Sequence, residues 1–477
     1  MKKVSDIKAK RKKRRKIVYR LFNGLIIATL LVPTLGLAVH SETSSSEKRD
    51  LASFPSLFID GGLNADLFSE MGAWYDDHFA FRSWLISAYA GLEQSIFKES
   101  SIRNVITGND DWLFYRETLD QYLGENALSD RQIQNIVHNL GLYQYALNSK
   151  GIAMRVTIVP NKNTVYPEQM KSRYLQTETK DLDRVGAALS QAGIPYTDLK
   201  TPLVQDERTL YYQRDSHWTN EGALLAYNVL MDQMGIAHNN YDQAPTQVIE
   251  HISDLDEMLN PKNLTPETDQ DYSANFTYTV QNEIQDYMDS WIETRNENKP
   301  GTLFMFRDSF GEALAPYLAD NFGQAYFSRL EPYNLIQMDT LHPDVVVFER
   351  AERRMGGFQE QAAIMNMPVV ANFEAPVELQ NDSSLNVEAQ NGWYLISGKI
   401  KDLHTDDQIY LQVDLPDQSR FTYPVFYVND GYQVYLPQNR LPESSTLSII
   451  RVQDGAPAIV DQLVLDGSAI ENSSSQK

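Results

Sequence analysis

Hydrophobic and polar positions follow two different periods along the middle of the chain. Apolar residues recur at helical spacing in four segments, at residues 130–151, 181–193, 219–235 and 310–322. Short apolar runs typical of buried strands lie at residues 152–160, 194–199, 302–306 and 344–350. Because strands and helices alternate, the pattern predicts an α/β fold with a mostly parallel sheet.

Two flanking regions do not show this alternation. Residues 63–97 have the apolar spacing of an amphipathic helix with a break around residues 78–82, and residues 112–115 are typical of a short aromatic strand. Residues 253–300 are acidic and irregular, which predicts an insertion or a lid. We expect the α/β domain to extend over residues 57–372.

The period changes to two after about residue 372. Short alternating runs are separated by Asp, Gly and Pro turns, as in GWYLISGKI, QIYLQVDL and FTYPVFYV. This pattern predicts a small all-β, sandwich-like module over residues 373–470, for which we expect a carbohydrate-binding role. Residues 471–477 are expected to be a disordered tail.

The N-terminus combines a basic block with an uncharged one. Residues 1–20 carry eleven Lys and Arg and one acid, and residues 21–39 carry no formal charge. Nineteen uncharged residues suffice to cross a bilayer as a helix, and the basic block is expected to stay in the cytoplasm. We therefore predict a transmembrane anchor at 21–39 and a linker at 40–56. A cleaved signal peptide is the alternative.

Composition narrows the possible functions. The net charge is −22, so the chain beyond the basic block carries −22 − 10 = −32. Such a charge disfavours nucleic-acid binding. The chain has no cysteine, which excludes disulfides, thiol catalysis and Cys-ligated metal. An extracytoplasmic protein without disulfides fits a bacterial surface, Gram-positive more than Gram-negative.

Ser309 is the candidate nucleophile. The buried strand 302–306 runs into Arg307-Asp308-Ser309 and a helix follows, which predicts a strand–turn–helix elbow. In open α/β sheets, ligands bind at the carboxyl ends of the strands. The backbone N–H groups at the helix start point toward a developing oxyanion there. The alternative is that Asp308 and Ser309 are ordinary helix N-cap residues.

His217 is the candidate base, with Asp215 as its partner. A serine hydroxyl needs a base to become a good nucleophile. Asp215 and His217 are two residues apart, so in an extended segment their side chains point to the same side. The Asp215 carboxylate can then orient the His217 imidazole. Thr219 is expected to cap the helix that follows. The alternative is that Asp215 and His217 are metal ligands, although no HxH or HxxxH motif accompanies them.

These motifs resemble the alginate-acetylation (AlgX/AlgJ-like) branch of the SGNH hydrolase superfamily. The chain carries RDSHWT at 214–219 and, later, RDSF at 307–310, in the order that this branch shows. Further similar segments are DDHFAFR, VITGNDDWLFY, VPNKNTVYP and SDLDEML. The resemblance covers about residues 50–370 and implies a three-layer α/β domain.

The resemblance also implies an activity. It is that of an exported or membrane-tethered O-acetyltransferase acting on an exopolysaccharide. Ser309 would form an acyl-enzyme, His217 would be the general base and acid, and Asp215 would orient it. A membrane-bound O-acyltransferase partner would supply the acetyl donor, and no cofactor or metal is implied.

Two positions depart from this family, and the oxyanion donors stay open between two candidates. Arg307 stands where the family has Gly before Asp-Ser, and Asp111 stands in a loop usually read as Asp-Gly-Trp. Ser309 N–H is the expected oxyanion donor, with Asn161 as the second candidate.

Two further residues can bind sugar or serve structure. Trp218 either stacks on a sugar or, as we favour, braces the loop. Arg350 either binds a polysaccharide carboxylate or, as we favour, pairs with Glu349 or Glu352. Two other functions remain open for the whole chain, an acetyl esterase and a non-catalytic polysaccharide-binding protein.

Overall fold

The described residues form two compact units. The computed structural model describes residues 2–37, 51–59, 62–97, 103–243, 245–373 and 383–465. The first unit comprises the described part of Met1–Arg116 together with Gln213–Ser216 and Glu250–Glu267. The second comprises the described part of Glu117–Tyr212, His217–Ile249 and Thr268–Lys477.

Among the described residues, helices and strands are mixed as far as Ala351, and strands dominate after it. The α-helices are α1 (Lys2–Gly36), α2 (Leu67–His78), α3 (Arg82–Phe97), α4 (Leu119–Leu123), α5 (Asp130–Asn148), α6 (Lys162–Val165), α7 (Asp181–Gln191), α8 (Lys200–Gln205), α9 (Asn220–Met234), α10 (Asp254–Leu259), α11 (Gly311–Asn321) and α12 (Met338–Leu341). The strands up to the end of the central sheet are β1 (Phe58–Ile59), β2 (Gly62–Leu63), β3 (Val105–Thr107), β4 (Leu113–Tyr115), β5 (Ala153–Val159), β6 (Tyr196–Asp198), β7 (Gln247–His251), β8 (Glu267–Asp271), β9 (Thr279–Val280), β10 (Trp291–Arg295), β11 (Thr302–Phe306), β12 (Gln324–Ser328) and β13 (Val345–Ala351). The C-terminal strands are β14 (Asn386–Gln390), β15 (Trp393–Lys399), β16 (Gln408–Asp414), β17 (Arg420–Pro424), β18 (Phe426–Val428), β19 (Gly431–Pro437), β20 (Thr446–Gln453) and β21 (Ala456–Val464).

A seven-stranded sheet organises the second unit. Its order is β6-β5-β13-β11-β12-β10-β9. The five strands from β6 to β12 pair in parallel, and β10 and β9 join antiparallel. The prediction of a mostly parallel sheet is therefore confirmed. Strand β11, which precedes Ser309, lies between two parallel neighbours, so both of its edges are hydrogen-bonded.

Both faces of this sheet are buried. Side chains alternate along a strand, so β11 places Phe304 and Phe306 on one face and Leu303 and Met305 on the other. The first pair shares a core with α5 and α7, and the second pair shares a core with α9 and α11. This arrangement explains why the strand reads as a continuous apolar run in the sequence. The result is the predicted three-layer α/β domain.

The N-cap of helix α5 is Ser129, the residue directly before the predicted helical segment 130–151. The Ser129 side chain accepts the Gln132 N–H at 3.2 Å, and the Gln132 side chain accepts the Ser129 N–H at 2.9 Å. This reciprocal pair is a capping box, which satisfies two backbone donors that the helix start leaves open.

The C-terminal strands form the predicted all-β module. They lie in two antiparallel four-stranded sheets, β14-β15-β19-β18 and β17-β16-β20-β21. Within the second unit, β18 packs on α5. Asn139 accepts the Tyr427 N–H at 2.9 Å, and the His138 ring stacks on the Tyr427 ring at 3.8 Å between centroids. Burial lowers the pKa of His138 to about 4, so this histidine is neutral and structural. The domain boundaries at 57, 372 and 470 stay predictions.

The irregular segment at 253–300 is more ordered than its acidic composition indicates. Strand β10 within it pairs antiparallel with β12, and β9 extends the sheet further. The prediction of an irregular insertion or lid is therefore wrong for residues 291–295. Ile292 is buried in the α9/α11 side of the core. Strand β10 has only two buried positions, Ile292 and Thr294, which is too few to give a clear strand period in the sequence.

The predicted transmembrane anchor at 21–39 is not supported. Among the described residues, no helix combines the length and the apolar character that crossing a membrane requires. Helix α1 joins the basic block to the uncharged one without a break and ends at Gly36. Its uncharged part therefore has 36 − 20 = 16 residues, about 24 Å of helix at ~1.5 Å per residue. Residues 38 and 39 lie outside the described residues.

The turn in the NDDW segment explains one departure from the family pattern. Within the first unit it connects β3 to β4, and both Asp110 (φ 48°) and Asp111 (φ 63°) have left-handed backbone. Glycine adopts this conformation without strain, and aspartate is among the few other residues that tolerate it. The substitution at Asp111 is thus compatible with the same turn.

Candidate active site

The predicted elbow is formed at the carboxyl end of β11. The chain leaves the strand at Phe306, turns through Asp308 and Ser309, and enters α11. The Asp308 carboxylate fixes this turn from two sides. It accepts the Phe310 N–H at 2.9 Å and, with its other oxygen, the Ala351 N–H at 2.7 Å. Asp308 therefore ties the elbow to the end of the neighbouring strand β13.

A short bridged turn carries His217. Tyr211 and Trp218 form an antiparallel bridge, and the Tyr212 N–H donates to the His217 carbonyl at 3.3 Å. Thr219 then caps α9, as predicted, by accepting the Gly222 N–H at 3.2 Å. The imidazole thus stands on a closed turn directly before a capped helix, which limits its movement.

Two of the three predicted catalytic side chains meet in the second unit. His217 Nε2 lies 2.8 Å from Ser309 Oγ, although 92 residues separate them in the chain. Both side chains are only partly buried. This distance lets the ring nitrogen accept the serine proton, which is the first requirement for a serine nucleophile.

Phe310 holds the histidine turn against the elbow. The Trp218 indole N–H donates to the Phe310 carbonyl at 3.1 Å, and the two rings pack edge to face at 5.3 Å. The His217 ring lies 4.9 Å from the Phe310 ring. Trp218 is 1% exposed and contacts the elbow through this hydrogen bond and ring packing. Its role in sugar binding stays a prediction.

Removing the indole N–H should loosen this brace. We expect Trp218→Phe to destabilise the protein by about 1–3 kcal/mol, because the buried Phe310 carbonyl loses its donor. The rate of serine acylation should fall in parallel, since the turn that carries His217 is less restrained. Calorimetric Tm and the rate of acetyl-ester cleavage measure the two effects. Trp393→Phe, in strand β15, is the matched control, and an equal effect there would contradict the prediction.

The carboxylate of Asp215 lies in the first unit. It is 3% exposed, and one of its oxygens accepts the Asp254 N–H at 2.8 Å and lies 2.9 Å from His251 Nε2. Asp254 in turn accepts the Ser216 N–H and hydroxyl, at 2.8 and 2.5 Å. Its orientation of His217 stays a prediction. Sequence analysis did not identify His251, although it lies just two residues before the SDLDEML segment.

The Asn161 side chain is already engaged. Asn161 is 1% exposed, its backbone N–H donates to Glu352 at 2.7 Å, and its amide donates to Gln121 at 3.1 Å. Burial raises the pKa of Glu352, which the Asn161 N–H and the Thr164 hydroxyl partly offset. The role of Asn161 as an oxyanion donor stays a prediction.

Arg307 is 4% exposed and holds backbone groups rather than an open surface. Its guanidinium donates to the carbonyls of Asp308, Asp289 and, at short range, Tyr287. Burial lowers the pKa of Arg307 to about 10, so it remains charged at neutral pH. The residue that replaces the family glycine therefore fastens the 285–290 segment to the elbow. Its assignment to oxyanion or substrate binding stays a prediction.

Arg350 does not pair with Glu349 or Glu352, so that prediction is wrong. Its guanidinium donates to the Tyr333 hydroxyl at 2.8 Å and pairs with Glu331. The reason is strand geometry: Glu349 and Arg350 are adjacent in β13, and adjacent side chains point to opposite faces. A direct contact between Arg350 and substrate stays a prediction.

A cleft of about 340 Å³ lies beside the elbow. Arginines dominate its lining, and no sequence pattern indicates such a cluster because its members come from three strand ends. The lining residues are Arg307, Asp308, Arg329, Glu331, Tyr333, Arg350, Arg353, Arg354, Gly356, Gly357 and Glu360. In a chain of net charge −22, this is an unusually basic depression next to the candidate nucleophile.

Comparisons with known proteins support the resemblance. Residues 105–297 match the SGNH hydrolase-like domain of the acetyltransferase AlgX. The probable alginate O-acetylase AlgJ of Pseudomonas syringae pv. tomato is 30% identical over 185 residues, 37% of this chain and 45% of that protein. The AlgJ protein of Pseudomonas aeruginosa, described in the same words, is 27% identical over 164 residues, 34% of this chain and 40% of that protein.

A solved structure is similar over a larger part of this chain. The O-acetyltransferase domain of Pseudomonas putida AlgJ is 19% identical, with a TM-score of 0.35, covering 53% of this chain and 92% of that chain. The chain spans less than half the length of the two curated AlgJ relatives. The family match includes His217 and ends before Ser309, so the serine rests on the elbow geometry. The predicted resemblance is confirmed for residues 105–297, which match the SGNH hydrolase-like domain of AlgX.

Proposed function

We propose that this protein is a serine O-acetyltransferase that adds acetyl groups to a polysaccharide outside the cytoplasm. The observation that carries the proposal is the 2.8 Å contact of His217 Nε2 with Ser309 Oγ at the carboxyl edge of the central sheet. The AlgJ relatives are named as alginate O-acetylases, and this supports acetyl transfer to a polysaccharide as the reaction class.

The proposed reaction has two halves. In the first, His217 takes the proton of Ser309 as Oγ attacks the acetyl carbonyl of the donor, and the protonated ring then returns that proton to the leaving oxygen. In the second, His217 takes a proton from a sugar hydroxyl, and the sugar oxygen attacks the carbonyl of the acetyl-serine. His217 then returns the proton to Ser309 Oγ, which leaves as the free serine hydroxyl. Asp215 is proposed to orient the imidazole. The Ser309 N–H is proposed to stabilise the oxyanion in both halves.

The basic cleft is proposed as the place of the acceptor polysaccharide. Asp308, the residue directly before Ser309, is part of its lining. Its lining has five arginines and three acids, and this excess of positive charge favours an acceptor that bears acidic groups. The acetyl donor is proposed to come from a membrane-bound O-acyltransferase, since the reaction takes place where acetyl-CoA is absent.

Intact-mass spectrometry tests the proposal directly. The full chain is incubated with an acetyl-ester donor, with and without acceptor polysaccharide. We expect an adduct of about 42 Da on Ser309 that is discharged onto sugar. Discharge to water alone, with every acceptor tried, would identify an esterase. A folded protein that forms no adduct with any donor would indicate a non-catalytic binding protein.

A further inference from the structure

Glu349 is a buried acid that the proposed reaction does not use. It lies in β13, directly beside the elbow, and is 0% exposed. One carboxyl oxygen accepts the Asp308 N–H at 3.0 Å. No described residue makes a hydrogen bond with its other oxygen. An ionised carboxylate in such a place would be poorly solvated, which is costly.

The charged groups around Glu349 favour its neutral form. Burial raises the pKa of Glu349 well above its usual range, and the negative charge of Asp308 raises it further, while Arg307 acts in the opposite direction. Arg307 is largely occupied by backbone carbonyls of the elbow and of the 285–290 segment. The facing position on β5 is Thr157, which carries no charge. Asp308 is therefore the acid that Glu349 meets across the elbow.

The elbow depends on these two acids together. The Asp308 side chain holds the Phe310 and Ala351 N–H groups, and Glu349 holds the Asp308 N–H. The residue between these anchored positions is Ser309. Two adjacent carboxylates cannot both be charged here without strong repulsion, so ionisation of Glu349 would push the two supports apart.

We propose that Glu349 is a positioning residue that keeps Ser309 in place only while it is neutral, so that the site loses activity at alkaline pH. This inference rests on the proposed function and concerns its regulation. Glu349 acts through the Asp308 backbone and does not touch the reacting atoms. The proposed behaviour is an alkaline switch built into the elbow.

The test compares wild type with Glu349→Gln, which keeps the shape and the acceptor oxygen but cannot ionise. Acetyl-ester cleavage is measured from neutral pH to about pH 10, with Ser309→Ala as the blank for spontaneous hydrolysis. Wild-type kcat/KM should fall about tenfold per pH unit above the raised pKa. Glu349→Gln should keep its activity along that range. The same alkaline decrease in both proteins would overturn the proposal.

A stability measurement separates this inference from the proposed function. The unfolded chain releases the Glu349 proton near the ordinary glutamate pKa, whereas the folded chain retains it. The native state is therefore penalised increasingly as pH rises above that value, and the penalty levels off above the raised pKa. Between the ordinary glutamate pKa and the raised pKa, the Tm of Glu349→Gln should therefore rise relative to the Tm of wild type.

The outcomes are distinct. A Tm gain together with an unchanged kcat/KM profile would make Glu349 merely structural and overturn its positioning role. If no Ser309-dependent activity exists, the proposed function fails. If Glu349→Gln shows no Tm gain, Glu349 is not a neutral buried acid and the inference fails. Asp320→Asn is the control. Asp320 is a buried acid at the end of α11 that is far from the elbow, and its carboxylate accepts hydrogen bonds from Tyr241 and Thr277. The alkaline activity profile of this variant should match that of wild type.

Discussion

Ser309→Ala should reduce acetyl transfer at least about a thousandfold while leaving the fold intact. The alanine removes the oxygen that would carry the acetyl group, and His217 then has no proton to accept. Phe310 and Ala351 keep their bonds to Asp308, so the elbow keeps its support. The rate of acetyl transfer to polysaccharide and the calorimetric Tm measure the two parts of this prediction.

Ser328→Ala is the matched control for this experiment. Ser328 lies at the carboxyl end of β12, the neighbouring parallel strand, is 2% exposed, and its hydroxyl accepts the Leu330 N–H at 3.2 Å. We expect near-normal transfer in this variant. Transfer by Ser309→Ala at the wild-type rate, with the same Tm, would remove Ser309 from the mechanism.

Gly222→Ala should destabilise the protein by about 2–4 kcal/mol. A Cβ at this position would overlap the Leu210 carbonyl oxygen and would lie 2.9 Å from the Trp218 Cβ. The Leu210 carbonyl accepts the Thr219 N–H at 2.9 Å. Because that oxygen belongs to the backbone, relief requires the turn that carries His217 to shift.

The expected result is a lower Tm accompanied by slower acylation of Ser309. Gly141→Ala is the control, since this glycine lies inside α5 and has no heavy atom within 4 Å of its Cβ position. It should stabilise the protein by roughly 1 kcal/mol, the usual gain of Ala over Gly in a helix. If the Tm of Gly222→Ala equals or exceeds that of wild type, the turn that carries His217 shifts without loss of stability and the prediction is wrong.

Local patterning identified most of the α/β framework. The run TLFMF reads as a buried strand because both faces of β11 are covered. Thr219 reads as a cap because its hydroxyl accepts the N–H of Gly222, only three residues later. Such signals arise within a few residues, so they are visible in the chain itself. Strand β9 was missed because it has only two residues, and β10 was missed because it pairs with β12, beyond the intervening strand β11.

The sequence by itself determined which residue types are available for the chemistry. It supplied a serine at a strand–turn–helix elbow, a histidine with an aspartate two residues before it, and no cysteine. Only the tertiary structure decided that His217 Nε2 meets Ser309 Oγ at 2.8 Å, that Trp218 is a buried brace, and that Arg350 pairs with Glu331. The same holds for the burial of Glu349 beside the elbow. The physical reason is that distances across the sheet, and the burial that shifts a pKa, depend on strands far apart in the chain, and no local pattern encodes them.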